Sequence, residues 1–154
     1  FCECLQSMGC DVQYMDHGIQ VTGGSLQGIT VDMNAISDTV QTLAVVALFA
    51  NGPTTITNVA HIRHKESDRI GDLARELRKL GATIHEHDDG LTIEPGTLHP
   101  TELDTYRDHR MAMSLALAGL RVDGVIIKDP ACTEKTYPGF FTDLQCLLAQ
   151  QATG

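Results

Sequence analysis

The sequence predicts an α/β domain assembled from repeated βαβαββ units, and three observations lead there. Residues 1–24 and 73–96 align without a gap at an offset of 72, matching Leu5 with Leu77, Gly9 with Gly81, Val12 with Ile84, Gly18 with Gly90, Val21 with Ile93 and Gly24 with Gly96. The stretches DTVQTLAVVALFA from Asp38 and DHRMAMSLALAGL from Asp108 align at an offset of 70, and both are apolar on nearly all sides. The same offset pairs Lys65 with Lys135, each placed ahead of a further helix.

Each element has its own local reason. Residues 1–24 read as a helix end, a Gly9 C-cap, a strand, a turn at Asp16-His17-Gly18 and a second strand. Residues 73–96 repeat that order with Gly81 and the turn Asp88-Asp89-Gly90, where the glycines are expected to supply positive φ. Asp38 and Asp108 read as N-caps of two buried helices. β-Branched runs follow them at 54–57 and 125–127. Ile70, Leu73, Leu77 and Leu80 form an apolar stripe on one amphipathic helix; Phe140, Phe141, Leu144, Leu147 and Leu148 form another, with Pro138 near its first turn. The division that follows is one partial domain over 1–154: the tail of one copy at 1–27, a complete copy at 28–97 and a last copy at 98–154. Phe1 falls inside a helix, so the chain reads as the C-terminal piece of a longer protein.

Composition narrows the function. With 20 acidic and 11 basic residues the formal charge is -9, which disfavours nucleic acid and anionic membranes as partners but admits a small anion held by a few placed cations. No apolar run approaches the ~18 residues of a transmembrane helix. Five cysteines without a CxxC pair read as reduced thiols of a cytosolic protein rather than as zinc ligands. GxGxxG, GxxxxGK[ST] and GxSxG are all missing from the sequence.

Three segments carry candidate chemistry. In HIRHKESDR, from His61 to Arg69, Lys65 and Arg69 sit four apart at an expected helix start. That is either an anion site at the dipole's positive end or a solvated charged face. In YRDHRMAM, Arg110 leads into a buried helix and needs an anionic partner, either a ligand or a structural salt bridge. In DPACTEKTYP, Lys135 gains weight as the repeat-mate of Lys65. A ring of repeats would bring Lys65, Arg69, Arg110 and Lys135 onto one anion. Asp38 is then either a plain cap or a base beside that cluster.

Together, ISDTVQTLAVVALFA, HIRHKESDRIGDLARELRKLGA, YRDHRMAM and DPACTEKTYPGFF resemble the EPSP synthase family in order and spacing, over nearly the whole chain. The resemblance implies an enolpyruvyl transferase-like fold, two domains each of three βαβαββ copies about a pseudo-threefold axis, here incomplete. It implies transfer of the enolpyruvyl group of phosphoenolpyruvate to the 5-hydroxyl of shikimate 3-phosphate, without metal or organic cofactor, in the cytoplasm. By the same resemblance Asp38 is the base and Glu66 the acid. Asp38, His61 and Lys65 face shikimate 3-phosphate; Arg69, Arg110 and Lys135 face phosphoenolpyruvate; His109 supports that wall. One position departs from the pattern: where many relatives carry Asn, this chain has His61. The partners implied are the two anionic substrates and the N-terminal part of the same protein, and the isolated piece is expected to be inactive. The alternatives are a UDP-N-acetylglucosamine enolpyruvyl transferase, or a non-catalytic anion-binding module.

Overall fold

The computed structural model describes residues 1–151. Helix α1 (Cys2–Ser7) leads into the hairpin β1 (Asp11–Met15) and β2 (Gly18–Thr22), paired antiparallel. Then come β3 (Thr30–Asp32), a 3-10 turn (Asn34–Thr39), α2 (Val40–Ala47), β4 (Thr54–Thr57), a second 3-10 turn (Ala60–His64), α3 (Gly71–Lys79), β5 (Thr83–His87) and β6 (Gly90–Glu94). The last stretch holds β7 (Glu102–Leu103), α4 (His109–Ala116), β8 (Ile126–Ile127), a 3-10 turn (Pro130–Lys135) and α5 (Phe140–Gln151). Strands β3-β4-β6-β5 form one sheet, with β3 and β4 parallel and the other pairs antiparallel; β7 and β8 form a separate parallel pair. The order from β3 to β6 is strand, helix, strand, helix, strand, strand, and the chain belongs to the mixed α/β class.

One core runs through these elements. Ile56, Leu91 and Ile93 point from the sheet into it, and the stripe Ile70, Leu73, Leu77 and Leu80 meets them, all fully buried. The opposite sheet face is polar: Thr55 and Thr92 share a hydrogen bond, and His87 and His85 bond to Thr92 and Glu94. Helices α2 and α4 are apolar on nearly all sides because both are interior, and they are joined by a 2.9 Å bond between Thr42 Oγ1 and Ser114 Oγ. Among the described residues no helix is long and apolar enough to cross a membrane.

Gly9 and Gly81, the aligned glycines, both follow helix ends with φ of 101° and 107°, a conformation that penalises any other residue. Four expectations are corrected. Gly18 and Gly90 do not have positive φ. At Gly90 the constraint is closeness instead, since a Cβ there would lie 1.9 Å from the Ile56 carbonyl oxygen. Asp38 does not cap α2: it lies inside the 3-10 turn, α2 has Thr39 at its N-cap without a side-chain bond, and the Asp38 carboxylate points to arginines. Lys65 and Arg69 do not sit on a helical face, because α3 begins at Gly71; Asp68 accepts from Ile70 N and Gly71 N and fills the expected anion position. The α5 stripe is also partly open, with Leu147 and Leu148 exposed.

Candidate active site

The first 3-10 turn (Asn34–Thr39), the segment that follows the second (Ala60–His64) and the start of α4 converge, and a buried arginine joins them. Arg69 is 1% exposed. Its Nε and Nη2 grip Asp108 at 2.7 and 3.2 Å, Nη2 also reaches Glu66 at 2.9 Å, and Nη1 reaches Asp38 at 3.3 Å. A planar fork suits this task, since its donors point in fixed directions in one plane. Asp108 is fully buried; it also accepts from Ser67 Oγ at 3.1 Å and caps α4 through Arg110 N at 2.9 Å. Burial works to raise the Asp108 pKa, but the Arg69 hydrogen bonds and charge outweigh it and hold the carboxyl below its ordinary range. For Arg69 the same contest ends the other way up: burial lowers its pKa, and Asp108, Glu66 and Asp38 raise it further.

The outer rim is half-open. Arg110 donates from Nη2 to Asp38 Oδ2 at 2.9 Å and from Nη1 to the Asp38 carbonyl at 3.1 Å. Lys135 reaches Glu66 Oε1 at 3.5 Å. Glu66 has a lowered pKa: its own backbone N–H holds the charge, burial opposes, and Arg69 and Lys135 reinforce the lowering. His61 bonds through Nε2 to Ser37 Oγ at 2.9 Å, next to Asp38. His109 is buried with Nδ1 3.9 Å from Asp108 Oδ1. Lys65 is exposed and makes no ion pair among the described residues. The structure thus joins Asp38, Glu66, Arg69, Arg110 and Lys135 by direct contacts, with His61 linked to the neighbouring Ser37, His109 beneath, and Lys65 adjacent to Glu66 in sequence. The deeply buried cation is Arg69 rather than Arg110, whose side chain is 33% exposed.

Several participants had weak sequence signals. Ser67 and Ser37 lie inside or beside motifs but look like ordinary loop serines. Asp108 reads as a cap, which it is; its second role as the arginine's counter-ion shows only when residues 69 and 108 meet. The turn that presents it is unusual: Asp108 N donates to the Thr105 carbonyl at 2.8 Å, and Tyr106 and Arg107 between them have φ of 54° and 58°. Two successive left-handed residues without glycine cost on the order of 1–2 kcal/mol each. Behind the 3-10 turns, Asn34 Nδ2 donates to the Asn58 carbonyl, Asn58 Nδ2 to Asp32, and Asn58 N to Asp89, so the ends of β3 and β4 and the β5–β6 turn are tied together.

A cleft of about 170 Å³ opens beside Asp38 and Arg110, walled by Thr42, Met113, Ser114, Leu117 and Phe140. A larger groove of about 400 Å³ lies between α4 and α5, but Leu120, Ile127, Phe141 and Leu148 line it and no charged groups converge there. Polar convergence therefore favours the smaller cleft. Among the described residues, no group of three or more His, Cys, Asp or Glu is placed to hold a metal ion.

The cleft sets one carboxylate, Asp38, against one guanidinium, Arg110, and relatives indicate its lineage. Residues 1–144 match the family model described as EPSP synthase (3-phosphoshikimate 1-carboxyvinyltransferase). A 3-phosphoshikimate 1-carboxyvinyltransferase of Nostoc punctiforme is 54% identical over 147 residues, covering 95% of this chain and 34% of that protein. The structure of EPSP synthase from Acinetobacter baumannii superposes with a TM-score of 0.83 at 30% identity, over 90% of this chain and 36% of that one. The enolpyruvyl transferase NikO from Streptomyces tendae superposes with a TM-score of 0.77 at 25% identity, over 95% and 34%. The chain thus spans about a third of the length of the relatives it matches. With the motif order, the α/β topology and the family model in agreement over most of its length, the chain belongs to the EPSP synthase family.

Proposed function

We propose that the chain supplies one wall of an active site that transfers the enolpyruvyl group of phosphoenolpyruvate to the 5-hydroxyl of shikimate 3-phosphate, yielding 5-enolpyruvylshikimate 3-phosphate and phosphate. The observation that carries this is the contact of Asp38 and Glu66 with one buried arginine, flanked by Arg110 and Lys135. Asp38 takes the proton of the 5-hydroxyl as its oxygen attacks C2 of phosphoenolpyruvate. Glu66, ionised before substrate arrives, takes up a proton as phosphoenolpyruvate engages Arg69 and Lys135 and delivers it to the methylene carbon. The resulting tetrahedral species then loses phosphate, and a proton leaves the new methyl group to restore the double bond. Two carboxyl groups in different settings suit this two-proton traffic.

Arg110 and Lys135 face phosphoenolpyruvate directly, and Arg69, buried against Asp108, Glu66 and Asp38, reaches it where Glu66 and Asp38 give way; His61 and Lys65 join Asp38 at shikimate 3-phosphate and His109 backs the wall. Charge supports a shared site. Asp38, Glu66 and Asp108 already offset Arg69, Arg110 and Lys135, so two phosphorylated carboxylates need further cations from elsewhere. The rest of the site comes, on this proposal, from the N-terminal part of the same protein, working in the cytoplasm in the route to aromatic amino acids.

Phosphate release by the complete protein, given phosphoenolpyruvate and one acceptor at a time, tests the proposal. Turnover with shikimate 3-phosphate and none with UDP-N-acetylglucosamine is expected. The reverse preference, or anion binding without turnover, would overturn it.

A further inference from the structure

A second buried carboxylate stands behind the site, and no step of the proposed reaction uses it. Glu76 on α3 is fully buried, an expensive place for a charge without partners. It has three. Its Oε1 accepts from Tyr106 Oη at 2.5 Å, and its Oε2 accepts from Asp104 N at 2.9 Å and from Lys79 Nζ at 2.8 Å. Lys79 continues to Asp104 at 2.8 Å, and Arg75 Nη1 donates to Tyr106 Oη at 3.1 Å with its guanidinium over the ring. Every donor on Glu76 beyond α3 itself therefore belongs to residues 104–106, the approach to the left-handed turn.

That turn needs an outside hold. Positive φ at both central residues defines a type I′ turn, which favours Asn-Gly; here the pair is Tyr106-Arg107. Immediately after it comes Asp108, whose carboxylate orients Arg69 and caps the helix that carries Arg110. Arg69 itself stands at the entry to α3, the helix that carries Glu76. The two ends of the Arg69–Asp108 pair are thus held at a fixed separation by one helix and one carboxylate.

We propose that Glu76 is a positioning residue for phosphoenolpyruvate recognition: by clamping the Tyr106-Arg107 turn to α3 it sets the Asp108 carboxylate, and through it the guanidiniums of Arg69 and Arg110. This rests on the functional reading above, which gives those arginines to phosphoenolpyruvate. Misplacing them by up to about 1 Å weakens phosphoenolpyruvate more than shikimate 3-phosphate, whose other ligands His61 and Lys65 make no bond to residues 104–108 among the described residues.

The test uses the complete protein with Glu76→Gln, Tyr106→Phe and the double variant, beside Ile84→Ala, a core substitution in β5 away from the turn, as a stability control. In Glu76→Gln the charge goes and the short charge-assisted bond to Tyr106 Oη becomes at best a neutral one from the amide, so the turn's anchor weakens; Tyr106→Phe removes the hydroxyl alone and serves if the first variant fails to fold. The expected result is a KM for phosphoenolpyruvate raised about tenfold, a KM for shikimate 3-phosphate within about twofold, and a double variant no worse than the worse single one. Ile84→Ala should lower Tm without moving either KM. Variants that lose Tm while both KM values hold, or raise both alike, would overturn the positioning role. If the unaltered protein shows no transfer, the functional reading fails instead. The Arg69 Nε–H resonance then decides: its shift and slow exchange are lost in Glu76→Gln if Glu76 positions Asp108, and unchanged if it does not.

Discussion

Replacing Asp108 with Asn isolates the value of the buried charge. Asp108 is fully buried, holds Arg69 through two bonds of 2.7 and 3.2 Å, accepts from Ser67 and caps Arg110 N. Asparagine keeps the shape and one oxygen, so the cap survives. The charge goes, and an amide nitrogen now faces donors. Arg69 retains Glu66 at 2.9 Å and Asp38 at 3.3 Å, but those side chains are 34% and 53% exposed, and water weakens their pull. Removing one partner of a buried ion pair costs about 3–5 kcal/mol, and the two remaining carboxylates place this case near the lower end, about 3 kcal/mol. Urea unfolding of the chain followed by circular dichroism is the assay. With a slope of about 1–3 kcal/mol/M, the midpoint should fall by roughly 1–3 M. Alanine should lose about 1 kcal/mol more, because the cap goes too. A loss under about 1 kcal/mol for asparagine at unchanged slope would refute the reasoning, since the pair would then be no stronger than a surface contact.

Three further outcomes follow from the same contacts. Asp108 has a folded pKa below its ordinary 3.8, so its contribution is complete above that value and is lost as pH falls through the folded one; urea midpoints should drop below about pH 4, and Asp108→Asn should lack that component. Glu66 is held ionised by its backbone N–H, Arg69 and Lys135, so an anion that engages those cations raises its pKa; calorimetry of phosphoenolpyruvate binding to the complete protein in buffers of different ionisation enthalpy should show net proton uptake, and buffer-independent heats would contradict this. Gly90→Ala places a methyl 1.9 Å from the Ile56 carbonyl oxygen and should cost about 1–3 kcal/mol or more by denaturation, whereas an unchanged midpoint would show that β6 shifts freely.

Period and offset made the elements legible. The apolar stripe of α3 and the near-uniform apolarity of α2 and α4 reported burial directly, because a helix hides a residue every three or four positions. Gly9 and Gly81 marked helix ends because only glycine tolerates that backbone cheaply. Polar partnerships were harder to read. Asp38 stands where a cap belongs, yet Arg69 and Arg110 outbid the helix for its carboxylate, and the three are far apart in sequence. Asp68 accepts from the N–H groups of Ile70 and Gly71 ahead of α3, where local charge pointed to an outside anion. Glu76 left a faint trace, an acid among the apolar positions 73, 77 and 80, but the tyrosine that satisfies it comes thirty residues later. Motif order carried what spacing alone did not: on spacing, the charged run from His61 to Arg69 reads rather as solvated surface, and its Arg69 proves to be the most buried cation of the cluster.

Steady-state kinetics of Asp38→Asn in the complete protein test the central claim most directly. The side chain lies outside α2's cap, so the exchange removes the base and its charge between Arg110 and Arg69 while keeping shape, one acceptor oxygen and the backbone. On the proposal that Asp38 accepts the 5-hydroxyl proton, the exchange should lower kcat by about 10²-fold or more with the fold intact by circular dichroism. A kcat equal to that of the unaltered protein would contradict the account, leaving Asp38 as a counter-ion for Arg110 and the base to be sought elsewhere.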